Sequence, residues 1–195
     1  MNFMKTRASR WLTIPFALAL LSCRGPADED SGDPKVNSRD PNVDGDLPQV
    51  VINEFMASNA TGVTDEGGGT ADWIELYNLS DEDIDLGGFF VSDDESIPTK
   101  AMLPYDQGLI IEAGSTLLLW ADSDTDQGSK HLPFNLKKDG ESIVLTSPMG
   151  DLLDSIDYQN ATTDASFARY PDGTGPFSLC HSPTPDAPND SACKP

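Results

Sequence analysis

From residue 49 onward the chain is written in short apolar runs separated by turn residues: QVVINEFM, DWIELYN, IDLGGFFVSDD, GLIIEAG, STLLLWAD, ESIVLTS, LLDSIDY and SFARYPDG. Runs of this length, alternating with period two and bounded by Gly, Asp, Asn or Pro, mark strands, and no stretch keeps a 3.6-residue period over three turns. The spacing predicts an all-β sandwich, and about 145 residues suffice for one core. We expect one domain over residues 49–189 and a short tail over 190–195.

Strand parity assigns faces. In DWIELYN, Asp72, Ile74, Leu76 and Asn78 share one face, and Trp73, Glu75 and Tyr77 the other. In the first run Glu54 falls with Val50, Ile52 and Met56, while Asp154 falls with Leu152, Ile156 and Tyr158. An acid on an apolar face needs a partner. Arg169 is the only arginine from residue 49 onward, where 26 acids face 6 bases. It is therefore expected to make a bidentate, fold-holding pair with Glu54 or Asp154.

The chain before residue 49 has a different texture. Residues 24–48 hold Val36, Val43 and Leu47 as their only large apolar side chains, too few to offset chain entropy, so residues 23–48 read as a disordered acidic linker. Its root-mean-square span is about 25–30 Å by flexible-chain scaling. Within it, Asp40, Asn42, Asp44 and Asp46 resemble the first half of a calcium loop, but the twelfth position is Val51 where a bidentate Glu is needed. Further upstream, Lys5, Arg7 and Arg10 precede an apolar run from Trp11 to Leu21, interrupted by Pro15 and ending Leu20-Leu21-Ser22-Cys23. That is the layout of a secretory signal peptide over residues 1–22, and the run is shorter than the roughly 20 apolar residues a membrane span needs. The cysteine after the small residue resembles a bacterial lipobox. Cys23 is then the lipid attachment site, carrying palmitate-type chains that hold a bacterial protein to its membrane. Arg24 offers no acidic retention cue, which points to the outer membrane.

The runs also carry a resemblance. VVINEFMASN, DWIELYNLSDEDIDLGGFFVSDD, GESIVLTSPMGDLLDSIDY, SFARYPDGTGPF and SPTPDAPN, in that order, resemble the lamin tail domain family in its bacterial extracellular branch. The resemblance implies an immunoglobulin-like β-sandwich found in exported or surface proteins, alone or beside hydrolase domains, and not known for catalysis itself. The segment TKAMLPYDQGLIIEAG departs from relatives, which tend to have an aromatic-rich strand there.

Charge narrows the partners. Without residues 1–22, which contain three bases and no acids, the net charge is 9 − 33 = −24. Binding to nucleic acid rests on Lys and Arg neutralising phosphates, so it is excluded as an expectation. The sequence contains no GxSxG, HExxH, GxxxxGK or CxxC motif. His131 and His181 stand in polar, Pro-flanked segments and read as exposed loop residues. Clustered hard oxygens are what calcium selects, and the glycine-rich DEGGGTAD lets Asp65 or Glu66 fold back on Asp72 as candidate ligands. With Cys23 acylated, Cys180 and Cys193 remain as a pair that an oxidising compartment allows to bridge, closing a loop of about 14 residues for roughly 3 kcal/mol. The expected function is a noncatalytic, lipid-anchored envelope module for interaction or scaffolding, partnered by an envelope protein or glycan. A calcium-supported carbohydrate-binding or adhesion module is the alternative, presenting aromatic rings such as Trp73, Tyr77, Phe89, Phe90 and Trp120. Glycoside hydrolysis by paired carboxylates is the third reading.

Overall fold

The computed structural model describes residues 47–189, Cys193 and the backbone of residues 37–38. Cys23, the signal peptide and the half calcium loop at residues 40–46 lie outside the described residues. In chain order the strands are β1 (Asn37–Ser38), β2 (Val50–Met56), β3 (Asp72–Asn78), β4 (Ile84–Asp85), β5 (Phe90–Ser92), β6 (Ala101–Met102) and β7 (Ile110–Ile111), followed by β8 (Thr116–Ala121), β9 (His131–Leu132), β10 (Gly140–Thr146), β11 (Leu152–Gln159), β12 (Ser166–Arg169) and β13 (Phe177–Cys180). A short 3-10 helix occupies Thr125–Gln127.

Two sheets face each other. One has the order β1-β11-β10-β5-β6, the other β13-β12-β2-β3-β8-β9, and β4 pairs with β7 alone. The pairings are antiparallel except β8 with β9. The core between the sheets is filled from the alternate positions of each strand: Ile74 and Leu76 from β3, Leu117 and Leu119 from β8, Ile143 and Leu145 from β10. At one end Phe55 packs with Tyr158 at 4.9 Å, Phe167 at 5.1 Å and Phe177 at 5.9 Å between ring centroids. These rings span both sheets, and truncating one such ring in a close-packed core costs about 3–5 kcal/mol.

Two strands break the simple parity. In β2 the register slips between Ile52 and Glu54, so that Asn53 is an extra residue. Val50 and Ile52 face the core, the bulge resets the alternation, and Phe55 and Ala57 face it next. Glu54 and Met56 consequently lie on the outer face, opposite to Val50 and Ile52, which corrects the face expected from counting. In β11 the register slips opposite Leu145 and Thr146, making Leu153 the extra residue. Asp154 keeps the core-facing position with Ile156 and Tyr158, whereas Leu152 is 38% exposed and does not share it.

The linker expected over residues 23–48 also gives up two residues to the sandwich. Asn37 and Ser38 pair with Asp157 and Ile156 at the end of the β11 sheet. An end strand presents a row of unpaired N–H and C=O groups, and an extended segment of any composition can satisfy them.

Candidate functional site

Arg169 sits at the end of β12 on the same face as Phe167, pointing into the sandwich. Its Nη2 donates to both oxygens of Asp154, at 3.0 and 3.2 Å, its Nε donates to the Ile52 carbonyl at 2.8 Å and its Nη1 to the Gly175 carbonyl at 3.1 Å. The guanidinium also lies 4.3 Å from the centroid of the Phe177 ring. Asp154 in turn accepts the Ile52 and Ser155 amides. Burial pushes the Asp154 carboxyl up, and the Arg169 charge and these amides pull against it. One nitrogen thus bridges both carboxylate oxygens, where the sequence suggested a two-pronged fork, and the other nitrogens fix the neighbouring backbone. Glu54 has no part in this pair, because the Asn53 bulge turns it to the other side of the sheet.

Glu54 instead meets Glu75, its register partner on β3, on the outer face of the larger sheet. Both are fully buried, beneath the segment that follows β13. Glu54 accepts the Ser166 hydroxyl and, from that segment, the Thr184 amide at 3.1 Å and hydroxyl at 3.0 Å. Glu75 accepts the Asp186 amide at 2.7 Å and the Asn53 side-chain amide at 3.0 Å. Asn53 also donates to Asp172 and accepts the Gly173 amide, and Asn189 donates to the Arg169 carbonyl. The Cys180–Cys193 disulfide holds the far end of this strap. Burial drives Glu75 up to about 8, with the Glu54 charge adding to the push, and burial raises Glu54 as well. These paired carboxylates are covered and bonded within the protein, an arrangement that secures a strap.

His131 overturns the expectation of an exposed loop residue. Its side chain is 1% exposed, with Nδ1 2.7 Å from Asp122 Oδ2 and Nε2 3.2 Å from Glu66 Oε2. The misreading has a simple cause: His131 opens the two-residue strand β9, whose pairing with β8 folds a polar-looking segment onto the sheet. Both ring nitrogens are occupied by carboxylates, so the ring has no nitrogen to spare for activating a nucleophile. Burial works against charging the ring, but Asp122 and then Glu66 outweigh it and raise its pKa. His181 is exposed.

The three calcium candidates are not gathered into one site. Asp65 accepts the Gly69 amide at 2.8 Å and closes its own turn, Glu66 reaches His131, and Asp72 accepts the Asn59 amide at 3.0 Å. Burial pushes Asp72 up to about 6. Among the described residues no three His, Cys, Asp or Glu side chains are grouped to hold a metal ion. A hollow of about 330 Å³ does bring Asp65, Asp72, Asp122 and Asp124 to one wall, but Asp122 is committed to His131 and Asp124 to Gln127. Flexible glycines allowed convergence; the local turn bonds of each carboxylate prevented it.

The rings are mostly inside. Trp73, Phe89 and Trp120 are buried, and Tyr77 and Phe90 are half-buried. Exposed apolar side chains occur instead around β6, where Met102 is 52% and Tyr105 58% exposed. A hollow of about 490 Å³ lies here, lined by Met102, Leu103 and Pro104 on one side and Leu132 and Pro133 on the other. It falls between β6 and β9, the end strands of the two sheets.

Two facing sheets with a buried ion pair between them define a β-sandwich of the immunoglobulin-like class. Residues 46–160, more than half of the chain, match the Lamin Tail Domain family model. The chain belongs to the lamin tail domain family, a noncatalytic immunoglobulin-like family. No curated protein matches the chain.

Proposed function

We propose that this chain is a noncatalytic interaction or scaffold module of the bacterial cell envelope, attached to the outer membrane through lipid on Cys23 and engaging an envelope protein. The observation that carries the reading is the placement of the rings. A sugar-binding face is built from a row of solvent-facing rings, and here Trp73, Phe89 and Trp120 are folded away, leaving Tyr105 as the single exposed Phe, Tyr or Trp ring among the described residues. A protein partner can use what is left at the surface, the apolar side chains beside β6 and the outward backbone groups of the end strands.

The test is crosslinking in intact cells followed by identification of what is captured, run in parallel on the native chain and on Cys23→Ala. Recovery of defined envelope proteins, lost or reduced when Cys23→Ala leaves the membrane fraction, supports the reading. Recovery of glycans alone overturns the choice of partner, and a Cys23→Ala protein that stays fully with membranes overturns the anchor.

A further inference from the structure

We propose that residues 64–70 form a pH-gated cover over the Trp73–Trp120 pair, pinned shut by His131 held between Asp122 and Glu66. Trp73 and Trp120 are register partners on β3 and β8, and Trp120 and His131 are register partners on β8 and β9. The three side chains therefore stand in a row across the outer face of one sheet. Val63 and Ala71, just outside the two ends of the cover, pack on this row together with Met56 and Leu118.

The base of the loop is firmly tied. Asn59 donates to the Val63 and Ala71 carbonyls and accepts the Gly62 amide, and Asp164 accepts the amides of Ala60 and Thr61. The tip is a local turn, with Asp65 accepting from Gly68 and Gly69. Its ion pair to the sheet is Glu66 with His131. In the same row, Trp73 Nε1 is buried without a hydrogen-bond partner. Closure keeps that N–H dry, and opening returns it to water, so the closed state carries an unmet bond.

The pin works only in one protonation state. A neutral imidazole has a single N–H, and Asp122, at 2.7 Å from Nδ1, claims it. Nε2 then turns a lone pair toward the Glu66 carboxylate, and the contact becomes repulsive. The imidazolium donates to both acids. The charged groups facing the pin are Asp122 from the end of β8, Glu66 from the cover, and Lys130, whose charge favours ionised Glu66. His131 titrates above its ordinary value of 6.5 and Glu66 below its ordinary 4.5. A histidine with a raised folded pKa contributes stability that is full below its unfolded pKa and is lost as pH climbs through the folded one. The cover is thus held from mildly acidic to neutral pH and released on the alkaline side.

Hydrogen exchange of the full chain at pH 6 and pH 9, expressed as protection relative to β10 and β11, reads the cover directly. Protection of residues 64–70 is expected to fall about three- to fivefold at pH 9, the scale of a partly exposed ion pair. Glu66→Ala, a change at a 64% exposed side chain, should show the low protection already at pH 6, with the same melting temperature as the parent. On a Trp11→Phe background, acrylamide quenching of Trp73 and Trp120 should rise with pH in step with the lost protection. Equal protection at pH 6 and pH 9 in the parent, or a Glu66→Ala protein as protected as the parent at pH 6, overturns the proposal.

Discussion

Removing the Arg169 guanidinium strands a carboxylate. Asp154 is fully buried between the sheets, and an uncompensated buried charge costs about 3–5 kcal/mol. Arg169→Met should lower the unfolding free energy by that amount. Arg169→Met combined with Asp154→Leu should cost less than the two single changes added together, because the double variant leaves no charge behind. Denaturant unfolding of the four proteins gives the coupling; additivity within about 0.5 kcal/mol means that the pair does not act as a unit. The pair was half legible in the sequence. A lone arginine and two acids on apolar faces narrowed the candidates to Glu54 and Asp154, but the choice between them rested on a bulge at Asn53. No residue type announces such an insertion, since a bulge adds one residue without a composition of its own.

At the scale of elements the same bulge explains the strap. By facing outward, Glu54 comes beside Glu75, and residues 184–189 supply the donors that these two carboxylates require. Glu75 titrates near 8 in the fold and near its ordinary 4.5 in the unfolded chain, so the folded state holds a proton that the unfolded state has lost. Its contribution to stability is present below about 4.5 and declines as pH rises to about 8, by on the order of 2–4 kcal/mol across the window. Chemical denaturation from pH 5 to pH 9 should show this decline, and Glu75→Gln, which does not titrate, should flatten it. An identical slope in the two proteins excludes Glu75 as its source. Most strands could be read from alternation because their inward residues are large and regularly spaced. The two-residue strands β6 and β9 could not, for two residues define no period, and His131 was misplaced for that reason. β13 was missed because FSLC lacks the charged outward positions that make alternation visible.

For the whole molecule, charge sets the conditions. The described lysines all lie between residues 100 and 138, and Arg169 is buried, which leaves the rest of the described surface acidic. Self-repulsion of a chain carrying −21 disfavours the compact state. Raising sodium chloride from about 0.02 to 0.5 M shortens the screening length from about 20 Å to about 4 Å. The melting temperature is expected to rise by several degrees, roughly 1 kcal/mol in a domain of this size. A fall with salt, followed by calorimetry, shows that surface ion pairs such as Lys137 with Glu141 outweigh the repulsion.

The strap also imposes an order on biogenesis. Thr184 follows Glu54 by 130 residues and Asp186 follows Glu75 by 111. On a ribosome, or during threading through a secretion channel from the N-terminal side, β2 and β3 emerge long before the donors that bury their acids. Two wet carboxylates therefore sit on the nascent sheet until the final segment arrives and docks. Seating that segment is a closing step, and before it the domain keeps a hydrated, unfinished face that suits a chaperone better than a partner.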